Sequence, residues 1–188
     1  MKSASPKDKT AVLLERAATR PRAADLEGAE KDYRQVLKLR PQNPDALHLL
    51  GLIAEQRGSL PEAAQLIDRA LSVHSDFVDA HFNRARIARK SGDHAVAERH
   101  LRQGLALRPA AFSERLNLST VLIDQGRLPD AIAWLQDTVK QYPTFTEGYV
   151  RLGRVYRLAN DSDEMLAAAY AGLKQDPNNS FLHIMVSE

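Results

Sequence analysis

Apolar and small residues recur along this chain on one beat. Leu37, Leu71, Leu105, Val139 and Leu173 stand 34 residues apart and are all branched aliphatic. Ala29, Ala63, Ala97 and Ala131 form a second series with the same spacing of 34, broken by Met165. Gly51, Ala85, Ser119 and Gly153 form a third, all small. Turn-forming residues keep the same time: Gly58, Gly92, Gly126 and then Asn160, and Pro41, Ser75, Pro109, Pro143 and Pro177. A period of 34 in a helical pattern predicts a repeat solenoid, in which each unit buries its apolar face only against its neighbours.

Each series has a physical role. The stretch "LLGLIAEQRG" reads as a helix that tolerates Gly51, although glycine inside a helix costs about 1 kcal/mol against alanine. A large side chain at Gly51 would hold the next helix away, so close packing offsets that cost. Gly58 ends the helix, because glycine enters the left-handed conformation of a helix cap, and Asn160 is the usual substitute. The alanine series lets a second helix press on the first. The prolines stop that second helix and turn the chain. First (A) helices are predicted over 10–20, 44–57, 78–91, 112–125 and 146–159, and second (B) helices over 23–40, 60–74, 94–108, 128–142 and 162–175. "DSDE" at 161–164 reads as an N-cap with acids in the first turn.

With these residues the chain resembles the tetratricopeptide repeat (TPR) family: a small residue after Leu50, Leu118 or Leu152, an alanine twelve residues on and a proline twelve after that. Repeats fall at 44–77, 78–111, 112–145 and 146–179, preceded by a degenerate one at 10–43. A flexible tail over 1–9 and a further helix over 180–188 complete the predicted organisation. Arg84, where an apolar residue is usual, Met165, and the missing Leu-Gly pair in 10–43 depart from the family pattern. The resemblance implies an all-α, right-handed solenoid whose A helices line a concave channel. The run "LRPQNPDALHLLGLIAEQRG" is also similar to TPR sections that precede bacterial glycosyltransferase, sulfotransferase and hydroxylase domains.

Composition changes this picture little. The chain has 188 residues, 44% apolar and 27% charged, and a net charge of +2, which gives no reason to expect a nucleic acid partner. It has no cysteine, which excludes disulfides, thiolate zinc sites and a cysteine nucleophile. No apolar run approaches a membrane span or a signal-peptide core, so a cytoplasmic protein is expected. His48, His74, His81, His94, His100 and His183 form no His-x3-His pair, no glycine-rich phosphate loop occurs, and no serine or threonine stands with a base. The expectation is a non-catalytic chain with no metal and no cofactor.

The remaining candidate is the channel. One stripe of the A helices carries Leu49, Leu52, Glu55 and Gln56, then Asn83, Arg86, Arg89 and Lys90, then Asn117, Thr120, Ile123 and Asp124, then Arg151, Arg154, Arg157 and Leu158. It predicts a channel that is apolar and weakly acidic at one end and rich in arginine at the other, with Phe82 and Leu116 beside the stripe. Asn83 and Asn117 are one repeat apart, and stacked helices sit about 10 Å apart, so two such amides could grip peptide groups about three residues apart on an extended chain. An asparagine amide offers a donor and an acceptor together. The pair resembles the asparagine ladder of the O-GlcNAc transferase superhelix, with Arg151 breaking the next rung. The carboxylate clamp of chaperone-binding TPR proteins has no match in either register, since His48 and Leu52, or Phe82 and Arg86, stand where its first helix needs lysine and asparagine.

The expected peptide-binding set is therefore Phe82, Asn83, Arg86, Arg89, Lys90, Asn117, Thr120, Arg151, Arg154 and Arg157. Tyr149, Tyr156 and Tyr170 are expected to pack between helices. The partner expected is another protein, met through an extended and partly acidic segment. A substrate-recruiting region of a larger transferase or hydroxylase, and a scaffold that self-associates through its apolar C-terminal helix, are the competing readings.

Overall fold

In the computed structural model, residues 6–19 and 26–187 are described, and all their regular structure is α-helical. Eleven helices are present among them: α1 (Pro6–Thr19), α2 (Leu26–Leu39), α3 (Pro44–Gln56), α4 (Leu60–Val73), α5 (Val78–Lys90), α6 (His94–Leu107), α7 (Phe112–Asp124), α8 (Leu128–Gln141), α9 (Thr146–Leu158), α10 (Ser162–Leu173) and α11 (Ser180–Ser187). Helices α3, α5, α7 and α9 begin at Pro44, Val78, Phe112 and Thr146, 34 residues apart. They are the A helices, and α4, α6, α8 and α10 are their B partners.

The capping logic of the sequence operates in the backbone. Gly58, Gly92 and Gly126 have φ of 81°, 78° and 73°, and Asn160 adopts 57°. Asp161 caps α10 through its side chain, which accepts from the Glu164 N–H. Close approach is equally real. A Cβ on Gly51 would lie 2.6 Å from Ile67 Cγ1 and 3.2 Å from the Ala63 carbonyl, so only glycine lets α3 meet α4 at this point.

The chain divides into two compact units, Met1–Leu107 and Arg108–Glu188. In the first, α1 packs on α2, α2 on α3, α3 on α4, α4 on α5 and α5 on α6. Its core joins Tyr33, Val36, Ala46, Leu50 and Ile53 to a second cluster of Ala54, Ala63, Ile67, Ala80 and Ile87. In the second, α7 to α11 pack in the same serial way, and α11 also touches α9. Tyr149, Val150, Ala169, Leu182 and Met185 form the core there. Each buried Leu or Ile of this kind contributes about 1.5–3 kcal/mol of transfer free energy.

Two sequence expectations change, and the first repeat holds a contact that its pattern did not announce. Helix α1 begins at Pro6, inside the stretch expected to be a tail over 1–9; residues 1–5 lie outside the described residues. The degenerate first repeat lacks the Leu-Gly pair and is tied instead by an ion pair: the buried Asp32 carboxylate accepts from Arg16 Nε at 2.8 Å and from Arg16 Nη2. Tyr170 is 53% exposed and does not pack between helices, whereas Tyr149 and Tyr156 are buried.

Candidate functional site

The A-helix face of the first unit is built by α3 and α5. Glu55 is buried on it although it is charged. Its carboxylate accepts from Arg86 Nη1 at 2.5 Å and Lys90 Nζ at 2.8 Å, both on the next A helix. A buried carboxylate needs such partners, because desolvating an unpaired charge is prohibitive. Arg86 Nη2 also donates to Asn83 Oδ1 at 2.7 Å, and the Asn83 amide nitrogen lies 2.8 Å from His48 Nε2. The amide is the donor there, so His48 accepts through Nε2 and is neutral. Burial pushes the His48 pKa down, with Arg86 adding to the effect against Asp79 and Asp45. His48, Asn83, Arg86, Glu55 and Lys90 thus form one connected network.

This geometry bears directly on the expected peptide-binding set. Asn83 has one N–H and one lone pair committed internally, which leaves one of each uncommitted. Arg86 and Lys90 already share the single negative charge of Glu55, while Arg89 is exposed beside them. Phe82 does not line a channel. Its ring lies where a side chain on Gly104 would be, with Cε1 2.3 Å from that ideal Cβ position, so it fills the α5–α6 contact. The absence of a side chain at Gly104 is what draws the ring inward.

In the second unit α7, α9 and α11 present the corresponding face. Asn117 is exposed on α7. Thr120 donates its hydroxyl to the Leu116 carbonyl at 3.1 Å and stands 3.4 Å from Arg151 Nη1. Arg151 Nε is buried without a hydrogen-bond partner. The Arg154 guanidinium lies over the Phe181 ring at 5.5 Å. Arg157 is exposed one turn further on. Phe181 and Ile184 of α11 are 53% and 54% exposed, while Leu182 and Met185 are buried on its other side.

Sequence reasoning passed over one recurring device. The fourth residue of a repeat reaches back six residues to the carbonyl that follows the preceding B helix. His81 Nε2 meets the Ser75 carbonyl at 2.8 Å, Arg115 Nε donates to Pro109 at 2.7 Å, and His183 Nε2 meets Pro177 at 2.7 Å. The spacing of 81, 115 and 183, all multiples of 34 apart, carried that signal. Among the described residues no group of three His, Cys, Asp or Glu is placed to hold a metal ion, and no helix is long and apolar enough to cross a membrane.

Comparison with known proteins gives the class. The tetratricopeptide repeat family matches residues 14–80 and 82–144, and the chain belongs to that family. U-box domain-containing protein 70 of Oryza sativa subsp. japonica is 29% identical over 171 residues, which are 91% of this chain and 20% of that protein. The solved structure of YrrB, described as a TPR protein with an unusual peptide-binding site, superposes with a TM-score of 0.74 at 16% identity, covering 94% of this chain and 91% of YrrB. A mutant O-GlcNAc transferase of Thermobaculum terrenum superposes with a TM-score of 0.65 at 25% identity, covering 75% of this chain and 28% of the transferase. The chain spans between 12% and 20% of the length of the curated relatives it matches.

Proposed function

We propose that this chain is a non-catalytic protein-interaction module that holds an extended, partly acidic segment of a partner protein on its A-helix faces. The observation that carries the reading is the polar lining of those faces. Asn83 retains an amide N–H and a lone pair, Asn117 is exposed, and both occupy the same repeat position on helices whose core series lies elsewhere. Arg89, Arg151, Arg154 and Arg157 add positive charge on the same faces. We expect no nucleic acid partner, no cofactor and a cytoplasmic setting. The repeat architecture positions surfaces, and surfaces of this family serve recognition.

A second reading has a specific basis. The chain covers a small part of each curated relative and 28% of the Thermobaculum transferase, so the module also suits the substrate-recruiting region of a larger protein.

Selection of extended peptides from a display library, followed by titration against Asn83→Ala and Asn117→Ala, tests the interaction reading. Each substitution is expected to weaken binding by about 1–3 kcal/mol, because the peptide groups it served are left unpaired. Helical content should stay unchanged. Failure to select any peptide, or affinity in both variants unchanged from that of the unaltered protein, would remove the A-helix faces as the site.

A further inference from the structure

In its first unit the chain displays what a carboxylate does on an A-helix face. Glu55, with its side chain 3% exposed, takes Arg86 at 2.5 Å and Lys90 at 2.8 Å. The partners Glu55 and Arg86 are 31 residues apart on consecutive A helices. The second unit uses the same offset, since Thr120 and Arg151 are also 31 apart. Moving three residues along both helices from that pair sets Ile123 opposite Arg154. The second unit therefore has an aliphatic residue at the register where the first has its carboxylate.

The consequence is visible in the arginines. Among the described residues, Arg151 and Arg154 contact no carboxylate. Arg151 has one long contact to Thr120 at 3.4 Å, and its buried Nε donates to nothing. Arg154 rests on the Phe181 ring. Two guanidiniums one turn apart, one of them with a buried unpaired donor, form a cationic pair suited to a carboxylate.

We propose that the α7–α9–α11 face binds an acidic segment of a partner protein, with a ligand side-chain carboxylate bridging Arg151 and Arg154 where unit one uses Glu55. The proposal rests on the interaction reading above and places this carboxylate contact in the second unit, because in the first Glu55 already occupies the corresponding register beside Arg86 and Lys90. Phe181, under Arg154, and Ile184, one turn along α11 and likewise exposed, receive an apolar ligand residue. In an extended chain residues i and i+2 share a face about 7 Å apart, so the ligand pattern is an acid followed two residues later by an aliphatic residue.

The test follows the arginine Nε–Hε resonances of the whole protein by NMR. The probe is the acetylated and amidated heptapeptide Gly-Ser-Glu-Thr-Leu-Ser-Gly, whose blocked ends leave the glutamate as its one charge, and the comparison peptide carries glutamine there. The glutamate peptide should shift Arg151 and Arg154 and leave Arg86 in place, and the glutamine peptide should bind about tenfold more weakly. Ile123→Glu should abolish the response by supplying an internal counter-ion, while Ile123→Gln, of the same shape without charge, should preserve it. Glu55→Gln should make Arg86 respond. Equal binding of the two peptides, an equal response at Arg86 in the unaltered protein, or indifference to Ile123→Glu would overturn the proposal. So would a concentration-dependent dimer abolished by Phe181→Ser, which would make a second copy the occupant of α11. Display-selected peptides that depend on Asn83 or Asn117 but carry no acids would sink this inference and leave the interaction reading standing.

Discussion

His81 and His100 face each other Nδ1 to Nδ1 at 3.0 Å within the α5–α6 contact. Their protons can be assigned by elimination. His81 Nε2 must donate to the Ser75 carbonyl, so its Nδ1 is the acceptor and His100 Nδ1–H the donor. Protonating His100 costs little at that bond but charges a buried ring. Burial first, then His81, Arg99 and Arg84, depress the His100 pKa to about 4, against a smaller opposing pull from Asp68. The unfolded chain binds this proton near pH 6.5, and the folded chain does not. The stability that His100 contributes is thus complete above about pH 6.5 and is lost as the pH falls toward its folded value. His48, also depressed by burial, acts with the same sign. Urea midpoints across this range should decline less in His100→Asn, whose amide keeps a donor near the Nδ1 position. Identical pH profiles for the two proteins would refute the assignment.

At the scale of the element, the pairing of α7 with α8 depends on one buried cation. Arg115 is 4% exposed and makes no ion pair among the described residues. It donates Nε to Pro109, Nη1 to Thr138 Oγ1 at 3.0 Å and Nη2 to Gln141 Oε1 at 3.0 Å, all uncharged oxygens. The rings of Trp134 and Tyr142 lie 5.0 Å and 4.7 Å from its guanidinium, which supplies cation–π attraction in place of a carboxylate. Arg115→Ala leaves those oxygens unpaired and a void beside two rings, and is expected to cost about 2–4 kcal/mol. Trp134 fluorescence should shift to the red as water enters. A loss below about 0.5 kcal/mol, the range of an ordinary surface substitution, would show that the clamp is dispensable. The helix itself was legible from the repeat period. The arginine's role was not, because a cation held by neutral groups leaves no charge pattern to read.

For the whole molecule, the division into two units has a thermodynamic consequence. Serial packing makes stability a sum of local repeat and interface terms, so cooperativity is limited in range. The chain has a single tryptophan, Trp134, and it lies in the second unit. Urea unfolding followed by Trp134 fluorescence reports that unit alone, whereas far-UV circular dichroism reports all helices. The two transitions are expected to separate. Coincident midpoints and slopes would mean that both units unfold as one.

The sequence alone determined the fold class and its register. Period, caps and close contacts all act locally, so Gly51, Gly58 and the alanine series announce their roles in one dimension. The partners of side chains between helices were decided only in three dimensions. Phe82 turned inward because Gly104 leaves a space 22 residues away. Asn83, Arg86 and Lys90 looked open along the stripe, yet His48 and Glu55 reach them from the neighbouring helix. Pro6–Thr19 is helical although nothing in its own pattern required it to begin so early, and α1 packs on α2, with Arg16 meeting the buried Asp32. Burial and charge pairing depend on atoms distant in the chain, and the tertiary structure alone brings those together.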